Sequence, residues 1–272
     1  MFIPLEDNVS DIIGKAQRGL GLSDSQLAER SGVSAEKIRK LRDGDFDDDV
    51  VEHAAQVLKL DASALRKLAA GKWNPEAMDE IEGLAQFNTI YHDMTVNAYL
   101  VWDPSTREAV VFDTGADCGE MLQRIERENL SVRLILLTHA HPDHVADLRR
   151  LRKATGVPVY ISELELEEGV EAIAEGERFC AGSLTIEARL TSGHSPGGMT
   201  YLVTGLSRPV AIVGDSLFAG SMGGGNVSYD DALRNNREKI LTLPDETIIC
   251  PGHGPLTTVG KEKRDNPFFA MH

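Results

Sequence analysis

Three histidines and an aspartate gather in one short stretch of the chain, THAHPDH, which spans residues 138–144. Imidazole nitrogens and carboxylate oxygens are ligands that zinc and related divalent metals accept in proteins. Side chains two residues apart along an extended chain point the same way, so His139 and His141 can share one ion. Asp143 and His144 lie at the start of the next predicted helix, where they can face a second ion. The spacing therefore predicts two neighbouring metal sites.

Two further histidines and one aspartate lie in settings that suit a metal site. His194 lies in SGHSPGG and His253 in PGHGP, where the flanking glycines let the backbone turn sharply and present the side chain. Asp215 follows the apolar run 210–213, and a carboxylate at a strand end can bridge two cations with its two oxygens. The alternative, that the histidines are solvated loop residues, leaves these shared settings unexplained.

The motifs HxHxDH, a glycine-flanked histidine, GD and GHGP, in this order, resemble those of the metallo-β-lactamase superfamily and are similar to its glyoxalase II group. The resemblance covers residues 76–272 and implies an α/β fold, the αββα sandwich. It implies two ions that share Asp215, the first also bound by His139, His141 and His194, the second also by Asp143, His144 and His253. Asp113, in VVFDTGAD, matches the family's buried carboxylate that supports the HxHxDH loop, and a turn-capping role is the alternative.

A hydrolytic mechanism follows from this resemblance. Two divalent ions, zinc first with iron or manganese as alternatives, can hold a hydroxide at neutral pH, because metal binding lowers the pKa of water to about 7. We expect this bridging hydroxide to cleave a small thioester or ester, as a hydroxyacylglutathione hydrolase does, with Asp143 and Asp215 as the catalytic carboxylates. The glycine-rich stretch 220–226 lacks the basic and aromatic side chains with which the glyoxalase II group binds glutathione, which argues against glutathione recognition. The glycines of this stretch are better explained by a turn than by a mobile lid. Tyr229, just beyond the stretch, is a candidate substrate contact.

Two other functions stay open at this point. A persulfide dioxygenase of related architecture holds one iron with two histidines and an aspartate, which His139, His194 and Asp215 could supply. This alternative leaves the other four predicted ligands without a role. The second alternative is a DNA-binding regulator whose metallohydrolase fold senses a metabolite.

The first 75 residues carry helical periodicity and no strand signal. Ser23 and Gln26 form a capping box, Gly32 allows a turn, and Ser34 can cap the next helix. The stretch resembles the Cro and lambda-repressor type of helix-turn-helix domain, whose second helix enters the major groove. That helix would expose four basic side chains, Lys37, Arg39, Lys40 and Arg42.

Charge argues for caution over DNA. The whole chain carries a net charge of -15, and phosphate binding depends on clustered lysine and arginine. Within residues 1–75 acidic side chains outnumber basic ones. The helical part is therefore either a local DNA contact or a module for docking or homodimer formation.

The chain changes character at Pro75, which disfavours a helical conformation at Asn74. We therefore place a domain boundary there, with a helical domain at 1–75 and a catalytic domain at 76–272. The patterns predict a strand hairpin and further strands at 98–102, 109–113, 132–137, 157–161, 184–190, 200–203, 210–213 and 247–249. They also predict helices at 118–128 and 145–154.

The composition is 42% apolar and 26% charged, which is typical of globular proteins. The sequence holds no apolar run of the roughly 20 residues that span a bilayer. Residues 1–10 lack the pattern of a signal peptide. We expect a cytoplasmic protein without membrane contact.

Overall fold

The structure, a computed structural model, describes residues 2–76, 78–166 and 168–270. It begins with five helices, α1 to α5, at Val9–Gly19, Asp24–Ser31, Ala35–Arg42, Asp48–Leu58 and Ala62–Ala69. The predicted caps of α2 and α3 are present, because the Ser23 side chain accepts from the Gln26 N–H and the Ser34 side chain accepts from the Lys37 N–H. Gly32 ends α2 in the left-handed conformation (φ 69°) that glycine adopts at least cost. The helix-turn-helix domain itself stays a prediction.

Two sheets, each six-stranded within the described residues, follow these helices. Strands β1 to β6 form the first sheet in chain order and lie at Leu84–Tyr91, Met94–Trp102, Glu108–Phe112, Ser131–Leu136, Val159–Ser162 and Glu171–Ile173. Strands β7 to β12 form the second sheet and lie at Arg178–Ala181, Leu184–Leu190, Met199–Thr204, Val210–Gly214, Ile248–Pro251 and Thr257–Thr258.

Helices connect most of the parallel strands, as is usual for such crossovers, whereas a 3-10 turn at Glu163–Glu165 joins β5 to β6. Strands β3 to β6 are parallel, and β10 is parallel to β11, whereas the other neighbouring strands are antiparallel. Helices α6 to α10 lie at Gly119–Arg127, Pro142–Val145, Leu148–Thr155, Tyr229–Asn235 and Val259–Asp265. A π-helical turn, Asn236–Ile240, continues α9.

The two sheets pack face to face, and helices cover their outer faces. Phe112 of the first sheet and Ile212 of the second belong to one buried cluster between the sheets. Successive side chains of a strand alternate between faces, so Ala211 and Val213 belong to a different cluster, on the outer face of the second sheet. Met121 of α6 packs in a third cluster, on the outer face of the first sheet. This layering is the predicted αββα arrangement.

The N-terminal helices share a core with the rest of the chain. Ile12 and Leu27 belong to the same buried cluster as Leu217 and Phe268. The predicted boundary at Pro75 lies in the coil between α5 and β1. The division into two domains stays a prediction, because one apolar core runs across it.

The structure differs from the sequence-based expectation in one helix and in several short elements. The helix predicted at 145–154 is two helices, α7 and α8, because Pro142 starts a single turn and the chain leaves helical geometry at Asp147 (φ -110°, ψ 19°). Strands β1, β6, β7 and β12 and helices α9 and α10 were not predicted. None of the helices in the described parts of the chain is both long and apolar enough to cross a membrane.

Candidate metal centre

The predicted ligands follow the carboxyl ends of the strands. Asp113 comes directly after β3, and Asp215 directly after β10. His139 follows β4, and His253 follows β11. His194 lies in the loop between β8 and β9. Because the two sheets face each other, these strand ends meet at one edge of the sandwich.

The side chains form two clusters. Within each cluster, one nitrogen or oxygen atom per residue lies within 4.8 Å of the others. The first cluster contains His139, His141, His194 and Asp215, and the second contains Asp143, His144 and His253. The expectation from the sequence differs in one residue, because it assigns Asp215 to both ions, and the ligand assignment stays a prediction.

Asp215 lies between the clusters. Its Oδ2 atom is 3.3 Å from His194 Nε2 and 3.4 Å from His253 Nε2. Its Oδ1 atom is 3.3 Å from His144 Nε2. The carboxylate therefore contacts histidines of both clusters, as a bridging ligand must. Asp143 contacts the second cluster, with Oδ2 3.3 Å from His253 Nε2.

Backbone carbonyls orient two of the histidines. His253 Nδ1 lies 2.6 Å from the Thr95 carbonyl oxygen, and His194 Nδ1 lies 3.0 Å from the Gly224 carbonyl oxygen. A carbonyl oxygen can only accept, so in each ring Nδ1 carries the hydrogen. In the neutral ring the lone pair is then on Nε2, the atom that faces the centre. His141 is the exception, because its Nδ1 faces His194 Nε2 at 3.0 Å.

Asp113 ties the loop 138–144 to the end of β3. Its Oδ1 accepts the Thr138 N–H (2.7 Å), and its Oδ2 accepts the Thr138 hydroxyl (2.8 Å) and the His144 Nδ1–H (2.8 Å). Its φ of 57° is in the left-handed region, which aspartate tolerates better than most residues. These contacts hold the loop in place, and the supporting role of Asp113 in a metal centre stays a prediction.

The centre has the features expected of a cation site. His139 Nε2, His144 Nε2 and Asp215 Oδ1 are buried and have no hydrogen-bond partner among the residues that the structure describes. Such atoms cost free energy unless something binds them. Gly252 borders the same space: a Cβ atom there would overlap Asp215 Oδ1 and would lie 2.6 Å from His144 Cε1. The residues therefore fit divalent ions.

The electrostatics of the cluster point the same way. Burial lowers the pKa of His139 and of His194. Burial would also lower the pKa of His144 and of His253, but Asp215 and nearby carboxylates outweigh it and raise these values to about 10 and about 11. Burial would raise the pKa of Asp215, but His253 and His144 hold it well below its usual range. A buried anion that draws protons onto its neighbours offers the same negative potential to a metal ion.

A comparison with protein families matches residues 93–253 to the metallo-beta-lactamase superfamily. The chain belongs to this superfamily. The match begins after α1 to α5, so the N-terminal helices lie outside it.

Curated relatives in the superfamily include a probable metallo-hydrolase, YqgX, of Bacillus subtilis. It is 34% identical over 199 residues, which are 64% of this chain and 92% of the relative. Hydroxyacylglutathione hydrolase GloC of Haemophilus influenzae is 31% identical over 198 residues, again 64% of this chain and 92% of the relative.

Solved structures show the same fold. The B3 metallo-beta-lactamase BLEG-1 is 30% identical with a TM-score of 0.60, covering 69% of this chain and 100% of that one. TTHA1623 in a di-iron-bound form is 30% identical with a TM-score of 0.57, covering 67% of this chain and 100% of that one. These names span different substrates, so superfamily membership shows a metallo-hydrolase fold without selecting a reaction.

Glu165 is a site residue that the sequence analysis missed. Its Oε2 accepts the Ala140 N–H (2.6 Å) and its Oε1 accepts the Gly197 N–H (2.7 Å). One carboxylate thus holds together the two loops that carry His139 and His194. Nothing in the local stretch SELELEEG distinguishes Glu165 from the acidic residues around it.

The structure places Tyr229 against the N-terminal helices. The residue is buried in the cluster that contains the helical core, and its ring lies so close to Gly19 that a Cβ there would overlap it. A substrate contact for Tyr229 stays a prediction, and within the described residues its side chain makes no hydrogen bond to a candidate ligand.

The basic residues of α3 are only partly free. Lys37 lies 3.8 Å from Asp47, and Lys40 lies 3.2 Å from Glu36. Arg39 is exposed. The half-buried Arg42 differs, because its guanidinium donates to the Gln17 side chain at 2.9 Å and so joins α3 to α1. Contact of this helix with DNA stays a prediction.

Proposed function

We propose that this chain is a metal-dependent hydrolase that holds two divalent ions and cleaves a small thioester or ester. The position of Asp215 supports this most directly, because its two oxygens face histidines of both ligand clusters. A mononuclear site would leave the second cluster of Asp143, His144 and His253 without a function.

His139, His141 and His194 would hold one ion, and Asp143, His144 and His253 the other, with Asp215 shared. When bound, such ions supply a nucleophile derived from water at neutral pH and polarise a carbonyl oxygen. Zinc is the metal we expect first. Iron is a specific alternative because the similar structure TTHA1623 has a di-iron-bound form.

The chain's own residues orient and expose this centre. His141 and His194 are the partly exposed ligands, whereas His139, His144 and His253 are buried. Substrate would therefore approach past His141 and His194. Asp113 and the Thr95 and Gly224 carbonyls fix which nitrogen of each neighbouring ring faces the centre.

The thioester class is supported by similarity to hydroxyacylglutathione hydrolase GloC. Glutathione itself is not part of the proposal, because the glycine-rich stretch 220–226 offers no basic or aromatic side chain. A short acyl thioester of a different thiol, or an activated ester, fits the same chemistry.

The test combines metal content with hydrolysis. Protein purified without added metal is analysed by elemental mass spectrometry, and thioester and ester panels are assayed for release of thiol or acid. We expect about two equivalents of zinc, iron or manganese per chain, and turnover that His141→Ala abolishes. His53→Ala is the matched control, because His53 is exposed on α4 and its side chain hydrogen-bonds the Asp49 carbonyl of the same helix, away from the candidate ligands. One equivalent of iron would favour the dioxygenase instead, and no bound metal would favour the regulator.

A further inference from the structure

The glycine segment, residues 220–226, is held from the N-terminal part of the chain. The Ser221 hydroxyl donates to Asp7 Oδ2 at 2.6 Å. The Met222 carbonyl oxygen accepts from Lys15 Nζ at 2.9 Å. Asp7 and Lys15 lie more than two hundred residues before the segment in the sequence, so only the folded chain brings these groups together. The glycine segment is therefore anchored by a pair of charged residues outside the region matched to the superfamily.

Asp7 and Lys15 also bind each other in a largely buried ion pair. Their side chains are only 7% and 14% exposed. Charges that are removed from water lose their hydration, so a buried ion pair is stable only where hydrogen bonds offset that loss. The Lys15 ammonium group lies 4.9 Å from the centre of the Phe218 ring, whose edge-to-face neighbour is His253. The pair thus lies one residue away from the metal centre.

The other side of the glycine segment touches the ligands. The Gly224 carbonyl oxygen accepts from His194 Nδ1, as described above. Gly223 packs so tightly on the backbone of Asp215 that a Cβ would overlap the Asp215 carbonyl oxygen and lie 3.1 Å from His194 Nδ1. A displacement of this segment would therefore break the hydrogen bond from His194 Nδ1 to the Gly224 carbonyl and let the His194 ring turn.

Trp73 is a third N-terminal contact to the same segment. A Cβ on Gly220 would lie 2.6 Å from Trp73 Cζ3, so the indole ring packs directly on the Gly220 backbone. The glycine segment is thus held between the metal centre on one side and residues from the first 75 on the other.

We propose that Asp7 and Lys15 are positioning residues of the metal centre. They hold the glycine segment where the Gly224 carbonyl keeps His194 Nε2 turned toward the first ligand cluster. The N-terminal helical part then forms a wall of the metal centre, in addition to any docking or DNA-binding role. This inference rests on the metal sites of the proposed function and not on its substrate.

The competing explanation is that the ion pair only stabilises the interface between the helices and the sandwich. A second ion pair crosses the same interface and gives a matched control. Lys67 Nζ lies 2.8 Å from Asp265 Oδ1, and neither residue contacts a ligand or the glycine segment within the described residues. A purely structural role predicts that losing either pair has the same kind of effect.

The experiment titrates zinc, and separately cobalt, into metal-free full-length protein. The variants are Lys15→Met, Ser221→Ala and Lys67→Met, and His194→Ala identifies the binding step that depends on His194. We expect Lys15→Met and Ser221→Ala to weaken this step about 10-fold and to change the cobalt absorption spectrum, as loss of outer partners of a ligand does. Lys67→Met should bind both metals as the wild type does.

Thermal unfolding of the metal-free variants separates stability from positioning. Ser221→Ala keeps both charges and so tests the inference even where Lys15→Met folds poorly. The proposal would be overturned if Ser221→Ala had the metal affinity and cobalt spectrum of the wild type. It would also be overturned if Lys67→Met weakened metal binding as much as Lys15→Met does. A wild-type protein that binds two ions but cleaves no thioester or ester would remove the proposed function and leave this inference intact.

Discussion

Exchange of Asp113 for asparagine gives the sharpest test of how the centre is built. The asparagine side chain is nearly the same shape, and its amide oxygen can still accept the Thr138 N–H. The amide nitrogen then replaces Oδ2, which in the wild type accepts from His144 Nδ1. Two hydrogen-bond donors would face each other at this contact. His144 must respond by moving its hydrogen from Nδ1 to Nε2, the nitrogen that faces the metal centre.

The magnitude follows from the bond that is lost. A hydrogen bond to a charged group contributes roughly 1.5 to 3 kcal/mol. Each 1.4 kcal/mol corresponds to a tenfold change in an equilibrium constant. Asp113→Asn should therefore weaken the ion held by His144 by about 10- to 100-fold, the range seen for other partners of metal-binding histidines.

The assay is a competition titration of zinc against a chromophoric chelator, starting from metal-free protein. Asp103→Asn is the control, because Asp103 is also buried and accepts the N–H groups of Ser105 and Ser183. It lies before β3, at the opposite end from Asp113. We expect the control to lower stability and leave both zinc affinities unchanged. If Asp113→Asn binds both zinc ions with wild-type affinity, the argument from the His144 tautomer is refuted.

Three further predictions concern other parts of the centre and its surroundings. Gly252→Ala should abolish tight binding of one ion in a zinc titration, because its Cβ would occupy the space beside Asp215 Oδ1 and His144; unchanged stoichiometry would contradict this. Glu165→Gln should weaken zinc binding and speed zinc release in a stopped-flow chelator assay. The carboxylate accepts the N–H groups of both loops, whereas the single amide oxygen of glutamine can replace only one of its two oxygens. Zinc release at the wild-type rate would argue against a role of Glu165 in joining the two loops. Burial raises the pKa of Glu262 to about 7 from its ordinary 4.5, so the unfolded chain loses this proton first and the stability falls as the pH rises from about 4.5 to 7. Urea unfolding of metal-free protein should therefore show wild type losing up to about 3 kcal/mol relative to Glu262→Gln between about pH 5 and 8. A stability difference that stays constant over this range would exclude a raised pKa of Glu262.

The parts of the fold that could be predicted carry their signal locally. Strand β8 has the predicted bounds, because its side chains alternate between buried and partly buried positions. The caps at Ser23 and Ser34 are also local, each involving a residue three positions further on. The candidate ligands could be selected for the same reason, since apolar runs mark the strands whose ends carry them.

The elements that were missed lack such a signal. Strand β1 has one buried side chain, Phe87, and its neighbours Gln86, Asn88 and Thr89 are polar. It lies at the edge of the first sheet, where only one neighbour is available, so alternation is weak. The division between α7 and α8 depends on the backbone conformation of Asp147, which no composition or periodicity reveals.

The orientation of the ligands was the least accessible feature, and the reason is chemical. Asp113 could be inferred because a carboxylate is visible in the sequence. The partners of His194 and His253 are main-chain carbonyls, at Gly224 and Thr95, which any residue type would supply. Thr95 lies 158 positions from His253, so only the pairing of strands brings the two together. Side-chain identity therefore indicates which residues can bind an ion, whereas the folded backbone decides which ring nitrogen is turned toward it.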